Sequence, residues 1–411
     1  MREIIRILYS IYHWLLNLIG AFKYHFPSRK LTIIGITGTK GKSTTLALLS
    51  DILEEAGHKT SLISSLTKKI GIKIEKNNTG NSMPGRFFLQ KFLSDSVDAG
   101  CDVALIEVTS QGVVQYRHKF IFWDRVVFLN IHPEHIEAHG SFEKYLEAKL
   151  NFFRDASSSP DSKTPQFFVN SQDAHADDFA QAVYNFPVKR FSPGLTDALK
   201  LKLPISLKAD FLKTNIAAAI AVARSLDVDD KTIKKAIEGF GGIEGRMDVV
   251  VSKPFKVVVD YAHTPDSLEA VYEHLSRGLK KGRLLCVLGS AGGGRDKWKR
   301  PVFGSLAAKY CGFTFLTNED PYDENPEEII DSIESGYLKA KGAKKNIEKI
   351  TDRRKAILGA LSMAKSGDVV ICTGKGSETS IHIAGRKTIP WSEKGIIEEI
   401  LNGKNIDNRL N

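Results

Sequence analysis

At 411 residues, with 42% hydrophobic and 26% charged side chains, the chain has the composition of an ordinary globular protein and length for two or three domains. Four scattered cysteines, Cys101, Cys286, Cys311 and Cys372, form no C-x-x-C pair. This argues against a zinc site or a disulfide-stapled scaffold and reads as four reduced packing residues in a cytoplasmic protein. The net charge of +10 suits nucleic acid, anionic membrane or an anionic substrate. With no aromatic-interleaved basic patch and no helix-turn-helix pattern, no nucleic-acid partner is expected, and most of the excess reads as solvated helix faces.

The first element in chain order, residues 4–22, is mostly apolar and aromatic but interrupted by Ser10, His13 and Asn17. Arg2 and Arg6 flank its start, and Lys23, His25, Arg29 and Lys30 follow it. No small-residue cleavage site follows, which argues against secretion. Three readings stay open: a helix packed on the protein, an interfacial helix making peripheral membrane contact, or a true span.

A strand over residues 31–37 then runs into Gly38-Thr39-Lys40-Gly41-Lys42-Ser43-Thr44-Thr45 and a helical stretch over 46–56. Glycines that let backbone N–H groups close on phosphate oxygens, a lysine, a hydroxyl able to ligate Mg²⁺ and a helix N-terminus together make a phosphate-binding loop, so ATP or GTP with Mg²⁺ is expected. Five residues separate Gly35 from Gly41, where the common loop has four, which disfavours an ordinary GTPase.

Farther on, strand-like runs at 103–107, 126–130 and 167–170 alternate with helical patterns, the mark of a parallel α/β sheet. Helices are expected over 214–226 and 230–240. The glycine cluster of residues 239–245 breaks the pattern, and a second α/β unit follows with strands at 257–260, 284–288, 314–317 and 369–373. The expected division is an N-terminal helix over 1–30, a central nucleotide-binding domain over 31–244 and a C-terminal Rossmann-like domain over 245–411. Ligands of open α/β sheets gather at the strands' carboxyl ends. There Glu107 ends one strand, Asn130 ends the next, and His135 follows, so a carboxylate and an imidazole can approach Mg²⁺ and the γ-phosphate.

Taken together and in order, Gly35-Ile-Thr-Gly-Thr-Lys-Gly-Lys-Ser-Thr-Thr45, Ile106-Glu-Val-Thr-Ser-Gln111, Asn130 with Glu134-His-Ile-Glu-Ala-His-Gly140, Ala148-Lys149, Gly245-Arg-Met247, Val259-Asp-Tyr-Ala-His-Thr-Pro265, Gly292-Gly-Gly-Arg295 through Pro301, and Thr373-Gly-Lys-Gly-Ser-Glu378 resemble the Mur ligase family, above all its muramoyl-tripeptide synthetases. The resemblance runs from residue 31 to the C-terminus. It implies ATP-dependent amide ligation: a substrate carboxylate is activated as an acyl phosphate, then attacked by the amine of a free amino acid of the diaminopimelate or lysine type. The implied acceptor is the muramoyl-peptide nucleotide UDP-N-acetylmuramoyl-L-alanyl-D-glutamate, in cytoplasmic peptidoglycan synthesis.

By position in the family's motifs, Lys42 would hold the β/γ-phosphates and Ser43 one Mg²⁺, with Glu107 and His135 on a second. Lys149 matches a lysine that the family carbamoylates into a metal-binding anion. Asn215 would lie near the adenine, and Arg246, Asp260, His263 and Thr264 at the nucleotide's edge. Ser82, Thr109, Ser110, Gln115 and Arg117 fall where the family grips its acceptor, and Arg295, Gly374 and Glu378 where it holds the amino acid. Two departures stand out. Full-length members carry a domain that binds uridine diphosphate before the phosphate loop, where this sequence has residues 1–30, so uridine recognition is expected to differ. In Glu319-Asp320-Pro321-Tyr322, Tyr322 stands where diaminopimelate-adding members have an arginine. A different acceptor, lipid-linked or polyglutamate-like, and a non-catalytic membrane-attached nucleotide-binding module stay open as alternatives.

Overall fold

The computed structural model describes residues 2–77, 79, 81–85, 87–134, 139–158, 164–279, 281–294 and 296–404. The chain packs as two compact units. The first comprises the residues up to Pro204 together with Phe211–Phe240, and the second Ile205–Asp210 with the chain from Gly241 onward.

Among the described residues the first unit is built on an eight-stranded sheet. Its strands are β1 (Thr32–Thr37), β2 (Thr60–Ile63), β3 (Thr67–Ile70), β4 (Lys73–Lys76), β5 (Val103–Val108), β6 (Arg125–Phe128), β7 (Gln166–Asn170) and β8 (Val188–Phe191). They lie in the order β4-β3-β2-β5-β1-β6-β7-β8. From β2 to β8 neighbours run parallel, while β3 and β4 fold back antiparallel as a meander at one edge. β1 and β5 are near-continuous apolar runs because helices cover both sheet faces. In register, Ile36 pairs with Glu107, so the phosphate loop and Glu107 leave neighbouring strands side by side. The helices Lys42–Glu55 and Lys213–Arg224 pack on each other, and the alanine run 217–219 of the second is buried. On the other face the core gathers Ile33, Ile106, Trp123, Phe128, Phe152, Phe153 and Phe179.

The N-terminal helix Arg2–Lys23 packs on this unit, with Trp14 edge-on to Phe120 at 5.2 Å. No described helix is long and apolar enough to cross a membrane, which removes the spanning reading.

The second unit holds a six-stranded sheet among its described residues: β9 (Asp248–Val251), β10 (Lys256–Asp260), β11 (Leu284–Leu288), β12 (Phe313–Leu316), β13 (Ile347–Lys349) and β14 (Val369–Thr373), in the order β13-β12-β11-β14-β10-β9. All neighbours are parallel except β9 against β10. A hairpin of β15 (Ser380–Ile383) and β16 (Lys387–Pro390) follows. The helices Lys299–Tyr310 and Pro326–Lys339 touch backbone to backbone: a Cβ on Gly304 would stand 1.9 Å from the Ile333 carbonyl oxygen, and one on Gly336 1.9 Å from that of Pro301.

The cysteines need one correction. Cys286 and Cys311 form a disulfide, whereas Cys101 and Cys372 are free and buried as expected. Cys286 lies within β11, and Cys311 caps the helix Lys299–Tyr310, whose chain then enters the neighbouring strand β12, so their Cα atoms come within 6.1 Å. A separation of 25 residues gives no local hint of that proximity.

Arg353 and Glu393 form a buried pair, with Nη2 to Oε1 at 2.6 Å and Nε to Oε2 at 3.0 Å. The guanidinium also donates to the carbonyls of Asn318 and Thr373, and the Trp391 indole donates to Glu393. Breaking a buried pair leaves an uncompensated charge, so Glu393→Gln should lower the second unit's stability by about 3 kcal/mol in urea unfolding.

In the first unit, burial pushes the His118 imidazole below its ordinary 6.5, against the pull of Asp155 at 2.6 Å. The Asp155 carboxyl is itself lowered: burial opposes the shift, and hydrogen bonds from His118 and Lys119 outweigh it. For both groups the unfolded chain binds protons more readily, so stability present above pH 6.5 is lost on acidification. Urea midpoints should therefore fall between pH 7 and pH 5 in the wild type. They should fall less in His118→Asn, which starts lower.

Candidate active site

The first cluster is assembled at the carboxyl end of β1. Gly41, at φ 84°, caps the helix Lys42–Glu55, and a Cβ there would stand 2.1 Å from Oδ1 of Asn215. Asn215, buried in the helix Lys213–Arg224, thus lies against the loop itself. Asn130 clasps the loop from the next strand: its Oδ1 accepts from Lys40 N at 2.9 Å, its Nδ2 donates to Lys40 O at 3.1 Å, and its carbonyl accepts from Thr39 N at 2.9 Å.

Lys42 Nζ donates to the carbonyls of Gly38 and Thr39 at 2.9 and 3.0 Å and lies 3.8 Å from Glu107 Oε1. Ser43 Oγ donates to Glu107 Oε2 at 2.8 Å, and Ser65 closes the group through its N–H to Glu107 at 2.9 Å and its hydroxyl to Ser43 at 3.0 Å. Lys149, buried on the helix Phe142–Ser157, donates from Nζ to Gly38 O at 2.9 Å. Burial, with the neighbouring charge of Lys42, holds its ammonium well below the usual lysine range, against the attraction of Glu134 and Glu107. Its Nζ lies 4.9 Å above the Tyr145 ring, and Tyr145 OH shares a 2.9 Å hydrogen bond with Thr39 Oγ1. Thr44 is half-buried in the helix's first turn.

Of the expected set, Lys42 and Lys149 meet at the Gly38 carbonyl, and Ser43 and Glu107 join each other, with Glu107 3.8 Å from Lys42. His135 lies outside the described residues. Among those that are described, no group of three or more His, Cys, Asp or Glu side chains is placed to hold a metal. The oxygens of Ser43, Ser65 and Glu107 are nonetheless the donor class a hard divalent cation takes, and Thr37 Oγ1, at the end of β1, is buried with no partner. The donor chemistry suits Mg²⁺ beside a phosphate loop.

Of the expected acceptor residues, Thr109 caps a short helix by accepting from Gly112 N, and Ser110 bonds His139 at 3.1 Å. The Arg117 guanidinium donates to the Gln115 side chain and to the Met83 carbonyl. Ser82 is half-buried beside Met83.

The second unit carries its own cluster at the carboxyl ends of β10, β12 and β14. Asp260 accepts from the N–H groups of Met247 and Ala262, both at 2.7 Å, and burial raises its carboxyl against the opposing charge of Arg246. The Arg246 guanidinium lies 4.4 Å above the Tyr261 ring, and the His263 ring meets that tyrosine edge-on at 4.5 Å. Thr264 caps the helix Pro265–Arg277. Gly374 N donates to Asp260 O at 3.2 Å. Lys375 Nζ joins Asp320 at 2.9 Å and Glu378 at 2.5 Å, and Glu378 also accepts from Tyr261 OH at 2.9 Å. Tyr322, at φ 51°, stacks on His382 with centroids 5.1 Å apart. Arg295 lies outside the described residues. Ser290 Oγ and Asn318 Oδ1, just past β11 and β12, are buried with no hydrogen-bond partner among the described residues.

Sequence reasoning missed Tyr145, Ser65 and Lys375 as members of these clusters. Tyr145 had a signal, its i, i+4 spacing from Lys149 on one helix, and Lys375 stands inside a quoted motif. Ser65 had none.

Residues 36–219 match the Mur ligase middle domain, and residues 245–376 the Mur ligase glutamate ligase domain. A UDP-N-acetylmuramoyl-L-alanyl-D-glutamate–2,6-diaminopimelate ligase of Aquifex aeolicus (strain VF5) is 35% identical over 395 residues, covering 92% of this chain and 79% of its own length. The ligase of the same name from Bacillus cereus (strain ATCC 14579) is 33% identical over 411 residues, with 95% and 82% covered. A solved ligase of that name superposes with a TM-score of 0.61 at 26% identity over 90% of this chain and 78% of its own. A Mycobacterium tuberculosis folylpolyglutamate synthase, solved with ADP and AMPPCP, shares the fold at TM-score 0.66 and 15% identity, with 88% of this chain and 92% of that one covered. With both family domains matched in order and relatives aligned along nearly its whole length, the chain belongs to the Mur ligase family.

Proposed function

We propose that the protein is an ATP-dependent amide ligase of peptidoglycan-precursor synthesis, adding an amino acid of the diaminopimelate or lysine type to UDP-N-acetylmuramoyl-L-alanyl-D-glutamate. The observation that carries this reading is the convergence of Lys42, Ser43, Glu107 and Lys149 on the phosphate loop, in a chain whose relatives bear that ligase's name. ATP would supply the phosphoryl group that activates the acceptor's carboxylate, and Mg²⁺ the positive charge that offsets the phosphoryl oxygens.

The protein's own part is positioning and charge. Loop N–H groups of Gly38 to Thr44 and the Lys42 ammonium bind phosphate. Ser43 and Glu107, with His135, would hold Mg²⁺. Lys149, favoured as an uncharged amine by its burial, is suited to add to CO₂ through its nitrogen and release a proton, which would leave an anionic carbamate in place of a neutral amine. Tyr145 and Thr39 hold that lysine's surroundings in place. Arg246, Asp260 and His263 would meet the nucleotide, with Asn215 at its loop. Ser82, Thr109, Ser110, Gln115 and Arg117 would grip the acceptor, and Arg295, Asp320, Tyr322, Gly374 and Glu378 the amino acid. The domain limits proposed for these roles are 31–244 and 245–411. Such substrates favour a cytoplasmic enzyme, and the apolar N-terminal helix favours a seat at the membrane's inner face.

Purified protein with ATP, Mg²⁺ and the muramoyl-dipeptide nucleotide should release phosphate only when an amino acid is added. Meso-diaminopimelate, lysine and ornithine run in parallel, with product mass checked, identify the one Tyr322 admits. Silence with all three while ATP binds would reject the acceptor. In ¹³C-bicarbonate buffer the wild type should show a carbamate carbonyl resonance that is absent from Lys149→Ala. That variant should lose turnover by at least about 100-fold, as expected when an electrostatic group at the phosphoryl site is removed. Wild-type turnover in Lys149→Ala would refute the metal-site assignment.

A further inference from the structure

Among the described side chains of the N-terminal helix, residues 9–23, the buried positions are Asn17, Gly20 and Ala21. Asn17 is turned inward, 3% exposed, donating to the carbonyls of His13 at 2.8 Å and Gln115 at 3.5 Å, and the small residues Gly20 and Ala21 are buried with it. Four large apolar side chains point out, Ile11 at 50% exposed, Leu15 at 43%, Ile19 at 51% and Phe22 at 62%, whereas Leu16 and Leu18 are half-buried. At spacings of four, four and three residues these make one continuous stripe along the helix. Tyr9, Tyr12 and Trp14 are exposed beside it. A helix that exists only to complete the core would face the other way.

Charge identifies what covers this face. Residues 1–30 carry five Lys or Arg (Arg2, Arg6, Lys23, Arg29, Lys30) against one acid, Glu3, a net of +4. Lys23, His25, Arg29 and Lys30 are exposed at the stripe's C-terminal end. A second copy of this chain would bring +4 against +4 across an apolar contact, which like-charge repulsion opposes. An anionic lipid surface instead meets the apolar stripe with acyl chain, the tyrosines and tryptophan with the headgroup layer, and the cations with phosphate. Since the helix is not apolar enough to span, it would lie in the plane of the bilayer.

We infer that the outward face of the helix Arg2–Lys23, with the cations following it, docks the protein reversibly on an anionic bilayer surface. This deepens the localisation reading above and rests on it only for which leaflet is met.

The test is co-sedimentation of the full chain with phosphatidylcholine vesicles, with and without phosphatidylglycerol, at physiological salt. The wild type should bind the anionic vesicles and leave the neutral ones largely unbound. Ile11→Glu/Leu15→Glu/Ile19→Glu should weaken binding by at least about tenfold. Lys23→Gln/Lys30→Gln should weaken it about fivefold per cation removed. Circular dichroism reports the fold of each variant, and if the triple variant misfolds the lysine variant decides. No wild-type binding to anionic vesicles, or equal binding by a folded variant, overturns the inference, as does a solution dimer that the triple variant dissociates. Phosphate release is assayed separately without lipid. Turnover without vesicle binding sinks the docking alone, and vesicle binding without turnover sinks the ligase reading alone.

Discussion

Two lysine side chains, Lys42 and Lys149, reach for the same carbonyl oxygen, that of Gly38. In a buried setting with Glu107 and Glu134 as the acidic neighbours, the second amine is driven toward neutrality. Much of the first unit's arrangement serves this crowding. The parallel pairing of β1 with β5 brings Glu107 beside the loop, Asn130 ties the loop's backbone so that its carbonyls face the two amines, and Tyr145 closes the apolar side. A site built for anions would be overloaded with cations by two lysines. With the second amine held below the usual lysine range, the Lys42 ammonium and the backbone N–H groups are left as the proposed phosphate contacts.

The second unit answers a different electrostatic demand. Asp260 and Glu319 are buried carboxyls raised by desolvation, whereas Lys375 is held charged between Asp320 and Glu378. The buried Arg353–Glu393 pair underlies this edge by bonding the carbonyls of Asn318 and Thr373, the residues from which Glu319 and Gly374 continue. That buried pair thus fixes the backbone that leads into Glu319 and Gly374, two residues of the proposed amino-acid and nucleotide edge.

The parts of this fold that could be read from sequence are those whose signal is local. β1, β5, β11 and β14 are apolar runs long enough to announce themselves, and the glycine spacing of the phosphate loop carries its chemistry within eight residues. The meander of β3 and β4 was missed because Lys73-Ile-Glu-Lys76 is exposed throughout and has no buried face to impose a pattern. β8, reading Val-Lys-Arg-Phe, was missed for a similar reason, as both central residues are exposed. At the site, Lys149 was found through its motif, but its partner Tyr145 depends on which face of a helix meets the loop. Ser65 and the Cys286–Cys311 bond depend on chain segments meeting in space. Partnerships of that kind leave no trace in residue order.

β4 and β8 also have a bearing on how molecules of this protein avoid one another. They are the two outermost strands of the eight-stranded sheet among the described residues, the positions at which another strand could add. Lys73 and Lys76 on one border and Lys189 and Arg190 on the other place cations where an incoming strand would have to lie. Lateral sheet growth between copies is thereby discouraged without cost to the buried centre. Part of the chain's positive excess can then be understood as insurance against fibril-like stacking.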